Sequence, residues 1–565
     1  MRFITSALIG FCAASLGIAA VTPSHAQEAV QASTKESAVH ALLLEWEAED
    51  GPGVAVLIVK DGQTVFQKGY GTADIEQGVA ITENTAFHAA SISKQFTAFA
   101  VLTLVDEGKL RLDDDVRVVL PELNHLPTKF TVAHLLDHMS GLKEVGSLLT
   151  MAGWLPDDIV TQHQQYSMIT SQKGFNFEPA QEIEYSNTGY AVLAKIVEKV
   201  SGQPFEEHMR ATIFAPLGMD DTMIQSDRSA IVPNIAYSYN VRRGGLTKSN
   251  LNREIVGSTG VITTVTDLAK WAANFQSRTV GSERVFDLME QRGMTESGEV
   301  SPLSRGQELR VHNGLETWSH GGRIAGFRSF LLRVPSENLV VAMLSNRSDV
   351  DPANLGFALT DIYVADSEAF EEPVPVDWSE ATQAELDSYA GFYELFPGAI
   401  FDISNAEGKL LFTPYGTEQS LALAQSGKGQ FVLNSANQIS IRFDNEAGEQ
   451  AQDLKYVIGL NGELTADRTN VNPLDPETLD LQDFTGVFFS EELQTRYILS
   501  VVDDSLVASH LRLPDVTLAA FEQDTFVGPG SGLQKVEFER DENGAVTGAI
   551  VSAALAENVV FRKVQ

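Results

Sequence analysis

One cysteine, Cys12, stands in 565 residues. A chain with a single thiol forms no internal disulfide, no cysteine zinc cluster and no Cys-x-x-Cys redox pair. Cationic residues are also scarce, with 40 Lys and Arg against 76 Asp and Glu and a formal net charge of −36. Nucleic-acid phosphates demand a basic face, so this balance argues against such a partner and reads as a solvated acidic surface. Beyond Val21 no stretch approaches the ~20 consecutive apolar residues of a membrane-spanning helix. Metal sites lack their full ligand sets. His134 and His138 lie four apart, but His134-Leu135-Leu136-Asp137-His138 has no Glu beside the first His and no evident third ligand. Asp113-Asp114-Asp115 lacks the glycine and terminal glutamate of a calcium loop. No Gly-rich phosphate loop or nucleotide fingerprint stands out, and no cofactor is expected.

Hydrophobic residues make up 43% of the chain, enough for ordinary packed cores, and the length points to about three to four domains. Met1-Arg2, the apolar run from Ala7 to Val21 and the small-residue site Ser24-His25-Ala26 predict a cleaved secretory signal over residues 1–26. Phe11 before Cys12 departs from a lipoprotein site. Cleavage removes Cys12 and Arg2, leaving 39 basic and 76 acidic residues, a charge of −37. A periplasmic or secreted location is expected.

Two Pro-rich breaks divide the remainder, Glu371-Glu372-Pro373-Val374-Pro375-Val376-Asp377 and Asn470-Val471-Asn472-Pro473-Leu474-Asp475-Pro476. After the first comes an internal repeat. Leu386-Asp387-Ser388-Tyr389-Ala390-Gly391-Phe392-Tyr393 matches Leu481-Gln482-Asp483-Phe484-Thr485-Gly486-Val487-Phe488 at a displacement of 95 residues, and Phe431 and Phe443 recur as Phe526 and Phe538. Short alternating runs such as Gln438-Ile439-Ser440-Ile441-Arg442-Phe443, with no long helical pattern, predict a small antiparallel barrel in each copy. The expected domains are residues 27–372, 373–475 and 476–565.

Ser91-Ile92-Ser93-Lys94 opens an apolar helical stretch from Phe96 through Val105. Ser and Lys at i, i+3 share one helix face, which brings an amine within reach of a hydroxyl: a nucleophile beside a base. Tyr185-Ser186-Asn187 precedes a second helical pattern at Tyr190, Leu193, Ile196, Val197 and Val200. His320-Gly321-Gly322 leads into Phe330 to Val334 and Leu339 to Leu344, which read as paired strands.

These three elements, in this order, resemble the penicillin-recognising serine hydrolases, in the branch of class C β-lactamases, D-aminopeptidases, DD-peptidases and related esterases. The likeness runs from about Lys35 to Arg347, and His134 to Leu142, Pro216-Leu217-Gly218-Met219 and Gly260-Val261-Ile262-Thr263-Thr264 resemble further landmarks. It implies an α/β (α+β) β-lactamase/transpeptidase-like catalytic domain with a helical subdomain, here followed by two barrels as in the D-aminopeptidases. It also implies an acyl-enzyme on Ser91, with Lys94 or Tyr185 as base and Asn187 orienting Lys94 and binding a substrate carbonyl. The Arg323 amide would join that of Ser91 in an oxyanion hole, with Gly321 and Gly322 allowing close approach and Arg328 facing the cleft. The β-lactamase Lys-Thr-Gly is replaced by His320-Gly321-Gly322. Neutral His serves a substrate carboxylate poorly, so penicillin-type substrates are disfavoured and small molecules or short peptides expected. In D-aminopeptidases a loop of the last barrel carries an Asp for the substrate amine; Asp515 and Asp524 are the candidates. The competing reading, a binding or sensor protein that keeps the fold without catalysis, is disfavoured by intact Ser91, Lys94 and Tyr185.

Overall fold

The computed structural model describes residues 34–564 apart from 48–50, 243–244, 373–378, 418, 435–438, 446–448, 459–462, 471–473, 475–478 and 530–531. The expected secretory segment and most of both Pro-rich breaks lie outside the described residues.

Seven antiparallel strands form the central sheet: β1 (Val54–Lys60), β2 (Gln63–Tyr70), β3 (Leu303–Ser304), β4 (Gln307–His312), β5 (Leu315–Ile324), β6 (Phe327–Val334) and β7 (Leu339–Ser345). Their order is β3-β4-β5-β6-β7-β1-β2, so the N-terminal hairpin completes a sheet begun far along the chain. The expected pairing of β6 with β7 is present, with Leu331 opposite Ala342 and Leu332 opposite Val341. Successive side chains leave a strand on opposite faces. Ala55, Leu57, Leu331 and Leu344 accordingly enter one core, whereas Val54, Val56, Ile58, Leu332 and Met343 enter the other. Both faces are covered, which is why these strands read as unbroken apolar runs.

The first core holds α1 (Ser93–Asp106) and α2 (Asn187–Ser201). Helix α1 is buried around its whole circumference from Ser93 to Leu102, so it runs through the middle of the domain. Helix α2 starts at Ser186, whose hydroxyl accepts from the Gly189 amide, and ends at Gly202 in the left-handed conformation (φ 71°). The other face is covered by the helix Pro352–Val364, through Leu355 and Leu359.

The repeat holds in three dimensions. Strands Gly391–Glu394 and Gly486–Ser490 occupy equivalent positions. Tyr389 packs on Phe431 and Phe443 as Phe484 packs on Phe526 and Phe538, with ring centroids 4.3 to 6.0 Å apart. The first copy is a nearly closed nine-stranded sheet whose edge strands, Leu421–Ala422 and Ala424–Gly427, are consecutive in the chain. The second is a closed eight-stranded barrel.

The closed barrel is fastened to the domain built on the central sheet. Leu148 and Met151 of the helix Val145–Met151 enter the barrel's apolar core, and the Tyr497 hydroxyl donates to the Met151 carbonyl at 3.0 Å. Beside them Lys143 Nζ meets both oxygens of Glu492 at 3.0 and 3.2 Å, with the side chains 2% and 3% exposed. Removing one partner of a buried pair leaves the other charge uncompensated, at a cost of about 3–5 kcal/mol. Glu492→Ala should lower the thermal midpoint sharply, and Lys143→Met with Glu492→Leu should recover most of the loss. Equal melting of Glu492→Ala and the parent would show that the pair does not hold this interface.

Candidate active site

Ser91 lies in the 3-10 turn Ala90–Ile92 that feeds α1. Ala90 is held at φ 48°, a left-handed conformation that costs a non-glycine residue roughly 1 kcal/mol. The surroundings over-determine it: Ser93 Oγ donates to the Ala90 carbonyl at 2.6 Å and Ser329 Oγ to the Ala89 carbonyl at 2.7 Å. Strand β5 presses on this turn. A Cβ on Gly322 would lie 2.2 Å from Ser329 Oγ and 2.6 Å from the Ala89 oxygen, so only glycine permits the approach. Strand β4 pairs with β5 only as far as Ser319, and the stretch of β5 from His320 onward lies beside Ser91 without that partner.

Below Ser91, Lys94 is fully buried. Its Nζ lies 2.8 Å from Asn187 Oδ1, 3.1 Å from the Ser258 carbonyl and 3.3 Å from Ser91 Oγ. A neutral amine has two hydrogens and one lone pair. With Asn187 and Ser258 accepting the hydrogens, the lone pair is left for the Ser91 hydroxyl. Burial pushes the Lys94 pKa down to about 7, with the Glu144 carboxylate opposing the shift. The Tyr185 phenol shares a hydrogen bond with Ser91, which favours its ionisation, but burial dominates and holds its pKa above the ordinary value. The Lys94 amine lies over the Tyr185 ring, 4.6 Å from its centroid.

Two supporting residues escaped the sequence reading. The Glu144 carboxylate accepts the Asn187 amide at 2.9 Å, the Thr188 amide at 3.2 Å and Asn187 Nδ2 at 3.2 Å. It thereby satisfies the start of α2 and turns Asn187 Oδ1 toward Lys94. His138 stacks on Tyr185 with centroids 4.8 Å apart, and its Nδ1 accepts the Ser186 amide at 3.0 Å. Burial and the nearby Lys94 keep His138 neutral. The only signal for either was position: both belong to, or directly follow, the stretch His134 to Leu142.

His320 also borders the cleft. Its Nδ1 lies 2.5 Å from the Gly321 carbonyl, which only accepts, so this nitrogen carries the proton and Nε2 is left as an acceptor. Burial, aided by Lys94, lowers its pKa to about 4. Arg323 is exposed at the cleft wall. Arg328 does not face the cleft as expected: it is buried, and its Nη1 donates to the carbonyls of Ala325 and Phe327 at 3.1 and 2.7 Å. Its position opposite Arg323 in the β5–β6 pair leaves it in the hairpin's own backbone.

The cleft has a volume of about 1690 Å³ and is bordered by all three parts of the chain. Leu395, Phe396, Leu464 and Thr465 come from the nine-stranded sheet, and Leu555 from the closed barrel. The Leu555 carbonyl accepts the Glu144 amide at 2.8 Å. Neither Asp515 nor Asp524 lines the cleft, and Asp524 is paired with Arg540 at 2.8 Å. The barrel reaches the site with an apolar tip instead of an aspartate.

A family model described as Beta-lactamase matches residues 41–362. Over 532 residues the chain is 25% identical to a D-aminopeptidase of Brucella anthropi, covering 91% of this chain and 96% of that one. Over 549 residues it is 24% identical to a D-aminopeptidase of Gluconobacter oxydans (strain 621H), covering 94% and 98%. Among solved structures, the octameric penicillin-binding protein homologue from Pyrococcus abyssi superimposes with a TM-score of 0.54 at 23% identity, covering 77% of this chain and 99% of that one.

If neutral Lys94 is the proton acceptor, labelling of Ser91 by a fluorophosphonate should accelerate as pH rises through about 7, the amine's lowered pKa. Glu144→Gln removes the charge that raises that pKa, so the acid limb should move to lower pH while the rate falls about 10- to 100-fold through misplaced Asn187. A limb that stays in place would mean that Lys94 does not set it. Ser91→Ala should abolish labelling with circular dichroism unchanged.

Proposed function

The chain belongs to the Beta-lactamase family, and we propose that it is a serine hydrolase cleaving short peptides or amino-acid amides that bear a free D-amino terminus, by way of a Ser91 acyl-enzyme. The observation that carries this reading is the buried Lys94 amine, held 2.8 Å from Asn187 Oδ1, 3.1 Å from the Ser258 carbonyl and 3.3 Å from Ser91 Oγ, with its pKa lowered to about 7. Lys94 takes the hydroxyl proton as Ser91 Oγ attacks the carbonyl carbon. The backbone amides of Ser91 and Arg323 hold the resulting oxyanion, each such donor being worth about 2.7–4 kcal/mol in the transition state. Tyr185, kept as a phenol, passes a proton to the departing amine and is replenished from the Lys94 ammonium. Water then attacks the ester carbonyl as the same base takes its proton, and the base returns that proton to Ser91 Oγ as the acyl–oxygen bond breaks.

Substrate charge follows from the walls. Neutral His320 supplies no fixed cation for the carboxylate of a β-lactam. Glu182 and Glu184 border the cleft and suit a substrate ammonium, with burial raising the Glu184 pKa to about 7, whereas Glu144 is bonded to Asn187 and Thr188 and Glu308 to Arg310. Leu555, Leu395 and Phe396 narrow the cleft and favour short substrates. Among the described residues no helix is long and apolar enough to cross a membrane, and the pattern of residues 1–26 supports action outside the cytoplasm.

A panel of D- and L-aminoacyl p-nitroanilides, their N-acetyl derivatives, p-nitrophenyl esters and nitrocefin tests this. Hydrolysis should be fastest on free D-aminoacyl anilides and slow on nitrocefin, and His320→Lys should raise the relative rate on nitrocefin. Ester hydrolysis without any D-aminoacyl preference would overturn the peptidase assignment in favour of an esterase.

A further inference from the structure

His88 lies three residues before Ser91, at the end of the short strand Phe87–His88 that pairs with Val261–Thr263. Its side chain is buried, and its Nδ1 lies 3.1 Å from the Ala90 amide nitrogen. An amide N–H can only donate, so Nδ1 holds the lone pair and the proton of the neutral ring is on Nε2. Burial keeps the ring in that neutral form, with its pKa lowered to about 4. Nε2 faces Thr259 Oγ1 at 3.4 Å, one residue beyond Ser258, whose carbonyl holds Lys94. One imidazole thus lies between the nucleophile's turn and the segment that supports the base.

Two peptide planes meet at Ala90. The Ala89–Ala90 plane is held at both ends: its amide by His88 Nδ1, its oxygen by Ser329 Oγ at 2.7 Å and Ile92 N at 3.3 Å. The Ala90–Ser91 plane is held at its oxygen by Ser93 Oγ at 2.6 Å. A trans peptide points its N–H away from its carbonyl, so the same bond directs the Ser91 N–H. The turn's own bonds run from Ile92 N to the Ala89 carbonyl and from Ser93 N to the Ala90 carbonyl, passing over Ser91 N. Between the two planes lies the strained torsion, φ 48° at Ala90. Without an acceptor at Nδ1, a buried donor stands unpaired and the first plane is released to relax toward negative φ, carrying the Ser91 amide with it. We propose that His88 is a positioning residue, whose Nδ1 lone pair fixes the left-handed Ala90 and thereby aims the Ser91 amide at the oxyanion. It acts without touching the substrate.

The inference rests on the Ser91 acyl-enzyme reading, and the test separates the two. A fluorophosphonate bonds its phosphorus to Ser91 Oγ as fluoride leaves and the hydroxyl proton passes to the base, and its phosphoryl oxygen takes the place of the oxyanion. Inactivation would be followed over reagent concentration to give a maximal rate and a half-saturating concentration for the parent, His88→Leu, His88→Asn and His88→Gln, each with its thermal midpoint. His88→Leu should lower the maximal rate roughly 10- to 100-fold and leave the half-saturating concentration within about twofold. His88→Asn, whose Oδ1 is bonded to Cγ as Nδ1 is, should restore most of the rate, and His88→Gln, whose oxygen is one carbon farther out, should not. A parental maximal rate in His88→Leu, even with a lower thermal midpoint, overturns the positioning role. Equal losses in His88→Leu and His88→Asn also overturn it, since the ring would then serve packing alone. If His88→Leu does not fold, His88→Gln reacting as fast as His88→Asn overturns the role. A parent that the reagent does not label overturns the acyl-enzyme reading and the positioning role with it.

Discussion

An amine held out of water beneath a hydroxyl governs the rest of this site. Lys94 is useful to Ser91 only while desolvation keeps its pKa near neutrality, and desolvation is stable only if the amine's hydrogens are satisfied. Asn187 and the Ser258 carbonyl do this from two different segments, so both must be placed to within a few tenths of an ångström. The buried helix α1 supplies the dry surroundings, and α2 delivers Asn187 at its first turn. Glu144 then tunes the same group in the opposite direction, because its charge favours the ammonium while its oxygens orient the asparagine that supports the free amine.

That arrangement makes the last barrel part of the catalytic architecture. The Glu144 amide is accepted by Leu555, the preceding Lys143 is locked to Glu492, and the helix after Glu144 inserts Leu148 and Met151 into the barrel's core. A residue two hydrogen bonds from Lys94 is thus anchored to a module more than 300 residues away in the chain. The barrel borders the cleft with Leu555, and the carbonyl of that same residue accepts the Glu144 amide.

Much of the site was legible in sequence because its chemistry is local. Ser91 and Lys94 lie one turn apart, Tyr185 and Asn187 straddle a helix start, and His320 precedes paired strands; the structure brings all five to one cleft. The 95-residue repeat was equally readable, because its aromatic positions are the cores of two like sheets. Glu144 and His138 were not legible as supporting residues, since their partners lie about 40 residues away and no spacing rule links them. Arg328 was misread, because strand register and the hairpin backbone decide where a buried arginine turns. Asp515 and Asp524 were sought as a polar tip, but the contact depends on which barrel turn docks.

The sequence by itself pointed to Ser91 as the candidate nucleophile, to Lys94 or Tyr185 as its base, to the strand and helix that carry them and to the duplicated C-terminal module, because periodicity and short-range spacing encode these directly. Only the tertiary structure decided which carboxylates are spent on backbone amides and which residue of the barrel enters the cleft. These are questions of who occupies whose hydrogen-bonding capacity, and the answer depends on groups brought together from distant parts of the chain.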